Sequence, residues 1–341
     1  MMRRMSRALV LLLLGGLGLA AAMHSASVTA APVQSAPDRA SWRWYKGQTH
    51  THTLESDGDS TPEEVTRWYH ERGYQFLVLS DHNVFTPVDA LARQFGKPES
   101  FLLVPGEEVT DRVGEKPLHV NGLNVARLVS PQGGATVPSA LQRDIDAIRA
   151  ANGVPHINHP NFGWAISHAD LASLERYRLL EIYNGHPLVN NLGGGDAAGL
   201  EEVWDRLLTA GQRIYGIAVD DAHYFKRPWD PLAPKPGKGW VVVQAPRLEA
   251  AALMTSLENG DFYASTGVEL ESYLASPAAI DVRVRVAGTT RYRVQLVRGG
   301  AVVQTVDGPA ARFALSGRGY ARVVVRDSNG ASAWGQPVFI P

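Results

Sequence analysis

From residue 42 onward, short apolar runs alternate with longer segments whose apolar residues recur every three to four positions. These are the spacings of a buried strand and of an amphipathic helix. Strands are predicted over residues 45–52, 76–80, 101–109, 118–125, 154–158, 179–183, 213–219, 240–244 and 262–267, and helices over 62–72, 139–151, 197–210 and 248–259. The first helix has Thr61 as a cap, Pro62 in its first turn and Gly73 as its stop. The second carries Leu141, Ile145 and Ile148 on one face and stops at Asn152-Gly153. Repeated strand–helix units with polar residues at strand C-termini predict an α/β domain of the barrel kind over residues 42–275.

Beyond residue 276 the rhythm changes. Residues 281–286, 292–297, 302–306, 312–315 and 321–325 alternate apolar and polar positions between Gly-rich turns, which predicts antiparallel strands. A small β-sheet or sandwich module is therefore expected over 276–341. It contains no histidine and no clustered acids, so its expected part is packing against the barrel or shaping the edge of a cleft.

The opening residues follow neither rhythm. Arg3, Arg4 and Arg7 precede an apolar run from Ala8 to Ala22, and small residues stand at two candidate cleavage points, Ala20-Ala21-Ala22 and Val28-Thr29-Ala30. This reads as a signal peptide over 1–30, followed by a flexible lead-in over 31–41, and predicts an exported, periplasmic or secreted protein. The apolar run is shorter than the ~20 residues of a membrane span, so no stable span is expected after cleavage. Loss of the leader leaves 30 basic residues against 34 acidic ones, with no basic block. Nucleic acid is not an expected partner.

The chain has no cysteine, which excludes disulfides and thiolate metal sites and leaves His, Asp and Glu as the strong metal ligands. These residues cluster at predicted strand ends. His50 and His52 share one face of an extended segment, and Asp57 follows in a Gly-containing turn. His82 stands just past a buried strand. Glu107, His119, His159, Asp221 and His223 complete a set of nine. A tetrahedral ion takes four donors, so nine suit two or three ions bridged by a carboxylate. Three choices stay open in the residues themselves: Glu107 against Glu108, His159 against His156, and Asp221 against Asp220. His24, His70, His168 and His186 read as surface or structural. The loop over 225–239, with four prolines, reads equally as a cover for the site or a solvated connector.

The ordered set of His50-x-His52 with Asp57-Gly58, Ser80-Asp81-His82, Glu107 within Gly106-x-Glu108, His119, His159-Pro160 and Asp221-x-His223 resembles the polymerase and histidinol phosphatase (PHP) metallohydrolase superfamily. The resemblance spans roughly residues 43–270 and implies a distorted (β/α)7 barrel. It implies one metal surrounded by His50, His52, Glu107 and Asp221, a second held by the bridging Glu107 with His119 and His159, and a third held by Asp57, His82 and His223. Residues 181–185, 262–267 and 333–337 resemble a secreted branch that includes carbaryl-hydrolase-type proteins.

The expected activity is metal-assisted hydrolysis of a small phosphate ester by two or three divalent ions, Zn, Mn or Fe. His82, His223 and Asp221 are the expected catalytic residues, with the two histidines assisting proton transfer. Lys226 and Arg227 are candidate phosphate contacts, with solvated loop charges as their alternative. Two other functions fit the same residues: a carboxyl- or carbamate-ester hydrolase, and a non-catalytic exported binding protein.

Overall fold

A computed structural model describes residues 39–95 and 100–341. The predicted leader, and the lead-in as far as residue 38, lie outside the described residues. The strand–helix half runs β1 (Arg43–Gln48), α1 (Pro62–Glu71), β2 (Phe76–Val78), α2 (Val88–Ala92), β3 (Leu102–Val104), β4 (Gly106–Val113) and β5 (Lys116–Leu123). It continues with α3 (Val137–Ala150), β6 (Val154–Ile157), α4 (His168–Ala172), β7 (Leu179–Asn184), α5 (Leu200–Thr209) and β8 (Tyr215–Val219). It ends with β9 (Trp240–Ala245), α6 (Ala250–Asn259) and β10 (Phe262–Ser265). Eight further strands follow: β11 (Leu270–Ser276), β12 (Ala279–Val284), β13 (Tyr292–Arg298), β14 (Ala301–Asp307), β15 (Ala310–Ala314), β16 (Gly319–Asp327), β17 (Ser332–Gly335) and β18 (Val338–Ile340).

Local chemistry accounts for the principal helices. At α1 the Thr61 hydroxyl accepts from the Glu64 N–H, and the Glu64 carboxylate accepts from the Thr61 N–H at 2.9 Å. This reciprocal cap satisfies two otherwise orphaned donors, and Pro62 occupies a position where its missing N–H costs nothing. On α3, Leu141, Ile145 and Ile148 are all fully buried against the sheet. Truncating any of them to Ala would cost about 2–5 kcal/mol.

The strand predicted over 101–109 is two strands, β3 and β4, parted at Pro105. Proline offers no N–H to continue a ladder, and the chain changes sheet there. β3 stays at the edge of a long sheet ordered β14-β13-β16-β17-β10-β9-β1-β2-β3, whereas β4 opens a second sheet ordered β4-β5-β6-β7-β8. A third, small sheet is ordered β11-β12-β15.

No continuous ladder closes a barrel among the described residues. The two large sheets meet instead through two single bridge pairs, Thr51 with Ala222 and His82 with Glu108. The regular (β/α)7 pattern is also broken because β4 and β5 form an antiparallel hairpin and β9 runs antiparallel to β1. The architecture is mixed α/β, with Thr51, His82 and Ala222 lying beyond the C-terminal ends of β1, β2 and β8 and Glu108 within β4.

The boundary placed at residue 276 falls inside the hairpin of β11 and β12, and β17 pairs with β10, so strands from both sides of it share one sheet. A buried ion pair adds to this seam. The Arg322 guanidinium on β16 grips Asp205 on α5 with both prongs, at 2.7 and 2.6 Å, and the Tyr320 hydroxyl donates to the same carboxylate. No helix among the described residues is long and apolar enough to cross a membrane.

Candidate metal centre

The centre begins where β1 runs out. Gly47 lies so close to the Phe76 ring that a Cβ there would come within 2.1 Å of it, which locks β1 against β2 just before the histidines. Beyond β1 the Gln48 side chain takes over from the ladder and accepts the N–H groups of Thr49 and His50. The chain then clips onto the end of β8, with His52 N–H donating to Ala222 O at 2.9 Å and Asp221 N–H to His50 O at 3.2 Å. Extended backbone puts both imidazoles on one side, and their Nε2 atoms stand 3.1 Å apart.

Two carboxylates complete this first group. Glu108 Oε2 lies 3.3 and 3.2 Å from the Nε2 atoms of His50 and His52, and Asp221 Oδ1 lies 3.3 and 3.2 Å from the same pair. Donor atoms 3.1–3.3 Å apart have the spacing of neighbouring ligands around one ion bound at ~2.0 Å, the bond length of nitrogen and oxygen donors to zinc-sized ions. The fit extends to protonation. His50 Nδ1 is 2.7 Å from Glu181 Oε1, so that nitrogen holds a proton and Nε2 is the one left to bind an ion. Glu108 Oε2 is buried without a hydrogen-bond donor. Two facing imidazole nitrogens and an orphaned carboxylate oxygen are satisfied together by a cation.

A second group shares Glu108. Its Oε1 lies 2.9 Å from His119 Nδ1 and 3.4 Å from His159 Nε2, which are themselves 3.4 Å apart. A third group surrounds Asp57, whose carboxylate lies 3.4 Å from His223 Nε2, 3.6 Å from His82 Nε2 and 3.5 Å from His52 Nδ1. His223 Nδ1 donates to the Asp221 backbone carbonyl at 3.0 Å, leaving Nε2 free to bind. The Asp57 turn is held by Asp81, which accepts from Thr53 N–H, Thr53 Oγ1 and Ser56 Oγ at 2.7–2.8 Å.

Eight of the residues expected from the sequence thus converge: His50, His52, Asp57, His82, His119, His159, Asp221 and His223. Glu107 does not. Its side chain leaves β4 on the opposite face, where Oε1 accepts the Val129 N–H at 2.6 Å, and Glu108 occupies the position expected for it. Successive strand residues point to opposite faces, so a one-residue error in register exchanges the two. Asp220 likewise turns away, accepting from Tyr69 OH and from the N–H groups of Gly237, Lys238 and Gly239. Asp221 reaches the centre through a left-handed backbone, φ +50°, a conformation Asp tolerates better than most residues. His156 is buried with neither ring nitrogen hydrogen-bonded.

Sequence reasoning missed the residues behind the donors. Glu181 faces His50 with one oxygen and accepts the His159 N–H and the Asn184 amide with the other. Its signal was a lone acid inside the otherwise apolar start of β7. Asn184 also donates to Asp221 Oδ2 at 3.0 Å, tying β7 to the end of β8. The 225–239 loop is fastened to the site by Asp220 and by the N–H groups of His223 and Tyr224, which donate to Pro234 O at 3.0 Å. Lys226 pairs with Glu64 at 2.7 Å and Arg227 lies over the Tyr224 ring, so both candidate phosphate contacts have partners of their own.

The electrostatics separate two kinds of histidine. Burial opposes charge on His50 and His52, but Asp221 and Glu108 outweigh it, holding His50 well above its usual range and lifting His52 to about 9. Burial prevails at His82, His156 and His186, each pushed down to about 4. Glu108 and Asp221 stay ionised despite burial because histidines surround them, whereas burial alone lifts Glu107 to about 7. Ionised oxygens and imidazole nitrogens thus share one space, and a bound divalent cation would take the place of the protons that His50 and His52 carry without it.

No family model and no curated protein matches the chain. Among solved structures it is similar to a two-domain protein from Bacteroides vulgatus containing a predicted PHP-like metal-dependent phosphoesterase. The likeness covers 88% of this chain and 97% of that one at 16% identity, with a TM-score of 0.51. An amidohydrolase from Chromobacterium violaceum, with sulfate bound and no metal, matches over 55% of this chain and 93% of its own at 15% identity, with a TM-score of 0.38. The first likeness shows the fold alone: the chain folds like that two-domain structure, and its own strand-end histidines and acids form a cluster able to bind metal.

Proposed function

We propose that this chain is an exported, metal-dependent phosphoesterase acting on a small phosphate ester. The observation that carries the reading is the sharing of Glu108. Its two oxygens face two separate sets of histidine donors, an arrangement that suits adjacent ions; Oε1 also accepts from the Asn158 amide at 2.7 Å, and Oε2 is buried with no hydrogen-bond donor. His50, His52, Glu108 and Asp221 would hold one ion, Glu108 with His119 and His159 a second, and Asp57 with His82 and His223 a third. Bound divalent ions would supply Lewis acidity towards phosphoryl oxygens and lower the pKa of water.

The rest is supplied by the chain. Glu181 fixes the His50 ring and its protonation. Thr110 Oγ1, 2.6 Å from His82 Nδ1, fixes the His82 ring with Nε2 towards Asp57. Asn184 steadies Asp221. Burial of the inner donors strengthens the charge interactions in the site.

The test is turnover by purified, metal-loaded protein on a panel of aryl phosphate monoesters and diesters, aryl carboxyl esters and aryl carbamates. Hydrolysis of a phosphate ester, abolished by chelation and restored by added divalent metal, is the expected result. Turnover of carboxyl or carbamate esters alone would replace the phosphoesterase reading, and turnover of none would remove it. Cell fractionation tests export, with the protein expected outside the cytoplasm.

A further inference from the structure

The segment after β7 carries a histidine that belongs to none of the three donor groups. His186 sits beside them, its ring 5.5 Å from the His223 ring and 5.8 Å from Phe162, edge-on to both. Phe162 in turn lies against His159 and His119. The position of His186 is fixed from two sides. Its backbone N–H donates to Asn184 Oδ1 at 2.7 Å, and the amide nitrogen of that same Asn184 bridges Glu181 and Asp221. Its ring is fixed by the Leu188 N–H, which donates to Nδ1 at 3.2 Å.

This last bond decides the tautomer. A ring whose Nδ1 accepts carries its proton on Nε2. Among the described residues that Nε2 has no hydrogen-bond partner, and it is absent from the buried, unpartnered polar atoms although the ring is half-buried. A fixed N–H donor is thus left open beside the donor cluster.

We propose that His186 is a substrate-contacting residue whose Nε2–H donates a hydrogen bond to an oxygen of the phosphate ester. The proposal rests on the phosphoesterase reading of the same site. A donor held in place by the main chain stabilises charge on a substrate oxygen without reorganising. Asn184 makes its placement depend on the same contacts that hold Asp221 and Glu181.

The test compares His186→Phe, which keeps an aromatic ring against Phe162, with His186→Gln, which restores a donor at similar reach. Metal content, kcat, KM and the binding of inorganic phosphate by calorimetry are measured on each. His186→Phe should lower kcat/KM by roughly 10–100-fold and weaken phosphate binding, with metal content and Tm unchanged, and His186→Gln should recover part of both losses. Unchanged turnover and phosphate binding in His186→Phe would overturn the proposal, as would loss of metal, which would make His186 a ligand or a structural support. If wild-type protein binds phosphate but turns over no ester, the phosphoesterase reading fails by itself, and the phosphate titrations still decide the role of His186.

Discussion

Glu181 Oε1 lies 2.7 Å from His50 Nδ1, and both side chains are fully buried. The carboxylate orients the imidazole and raises its basicity towards whatever Nε2 binds. Glu181→Gln should keep the fold and weaken metal binding by roughly 10–100-fold, the usual effect of removing such a partner. Competition with a metal chelator of known affinity measures it, and an unchanged affinity would show that His50 needs no such support.

Glu107 and Glu108 predict opposite outcomes from one substitution. Glu108→Gln removes a charge that two donor groups share and should cost both bound metal and turnover. Glu107→Gln keeps an acceptor for the Val129 N–H and should leave metal content intact. Elemental analysis of the two variants beside wild type settles which glutamate serves the site.

These two residues also mark where the sequence stopped being readable. The periodicity gave the four long helices and most strands to within a few residues but not the five-residue helices α2 and α4, and the strand-end histidines gave the cluster. Strand patterning cannot fix which face of β4 turns inward, because that depends on the break at Pro105 and the pairing of β4 with β5. Glu181, Asn184 and His186 were hidden for a related reason. Their placement comes from contacts distant in sequence, as in the Glu181–His50 and Asn184–Asp221 pairs, or from a main-chain turn, as at the Nδ1 of His186. The seam of β10 with β17 was hidden too, since pairing partners 70 residues apart leave no local mark.

Asp144 gives a pH-dependent prediction away from the donor cluster. It is buried on α3, and burial together with the nearby Asp111 raises its carboxyl from an ordinary 3.8 to about 7. The folded chain keeps this proton where the unfolded chain has lost it, so stability falls as pH rises from about 4 to about 7. Asp144→Asn preserves the acceptor for the Gln132 N–H and removes the penalty. Thermal unfolding should show the variant gaining little at pH 4 and most at pH 8; an equal gain at both would contradict the shift.

Arg322 tests the seam between α5 and the C-terminal strands. Arg322→Ala leaves Asp205 buried with only Tyr320 as a side-chain donor and should destabilise the chain by about 3–5 kcal/mol. Urea denaturation reads it, with metal binding at the native state unaffected because the pair lies outside the donor cluster.

The most direct measurement of the central claim is the metal content of purified protein by elemental analysis, beside His50→Ala and Asp221→Asn. Two or three divalent ions per chain in the wild type, falling in both variants together with phosphate-ester turnover, is the predicted result. Wild-type protein that takes up no divalent ion after incubation with Zn, Mn or Fe would contradict it.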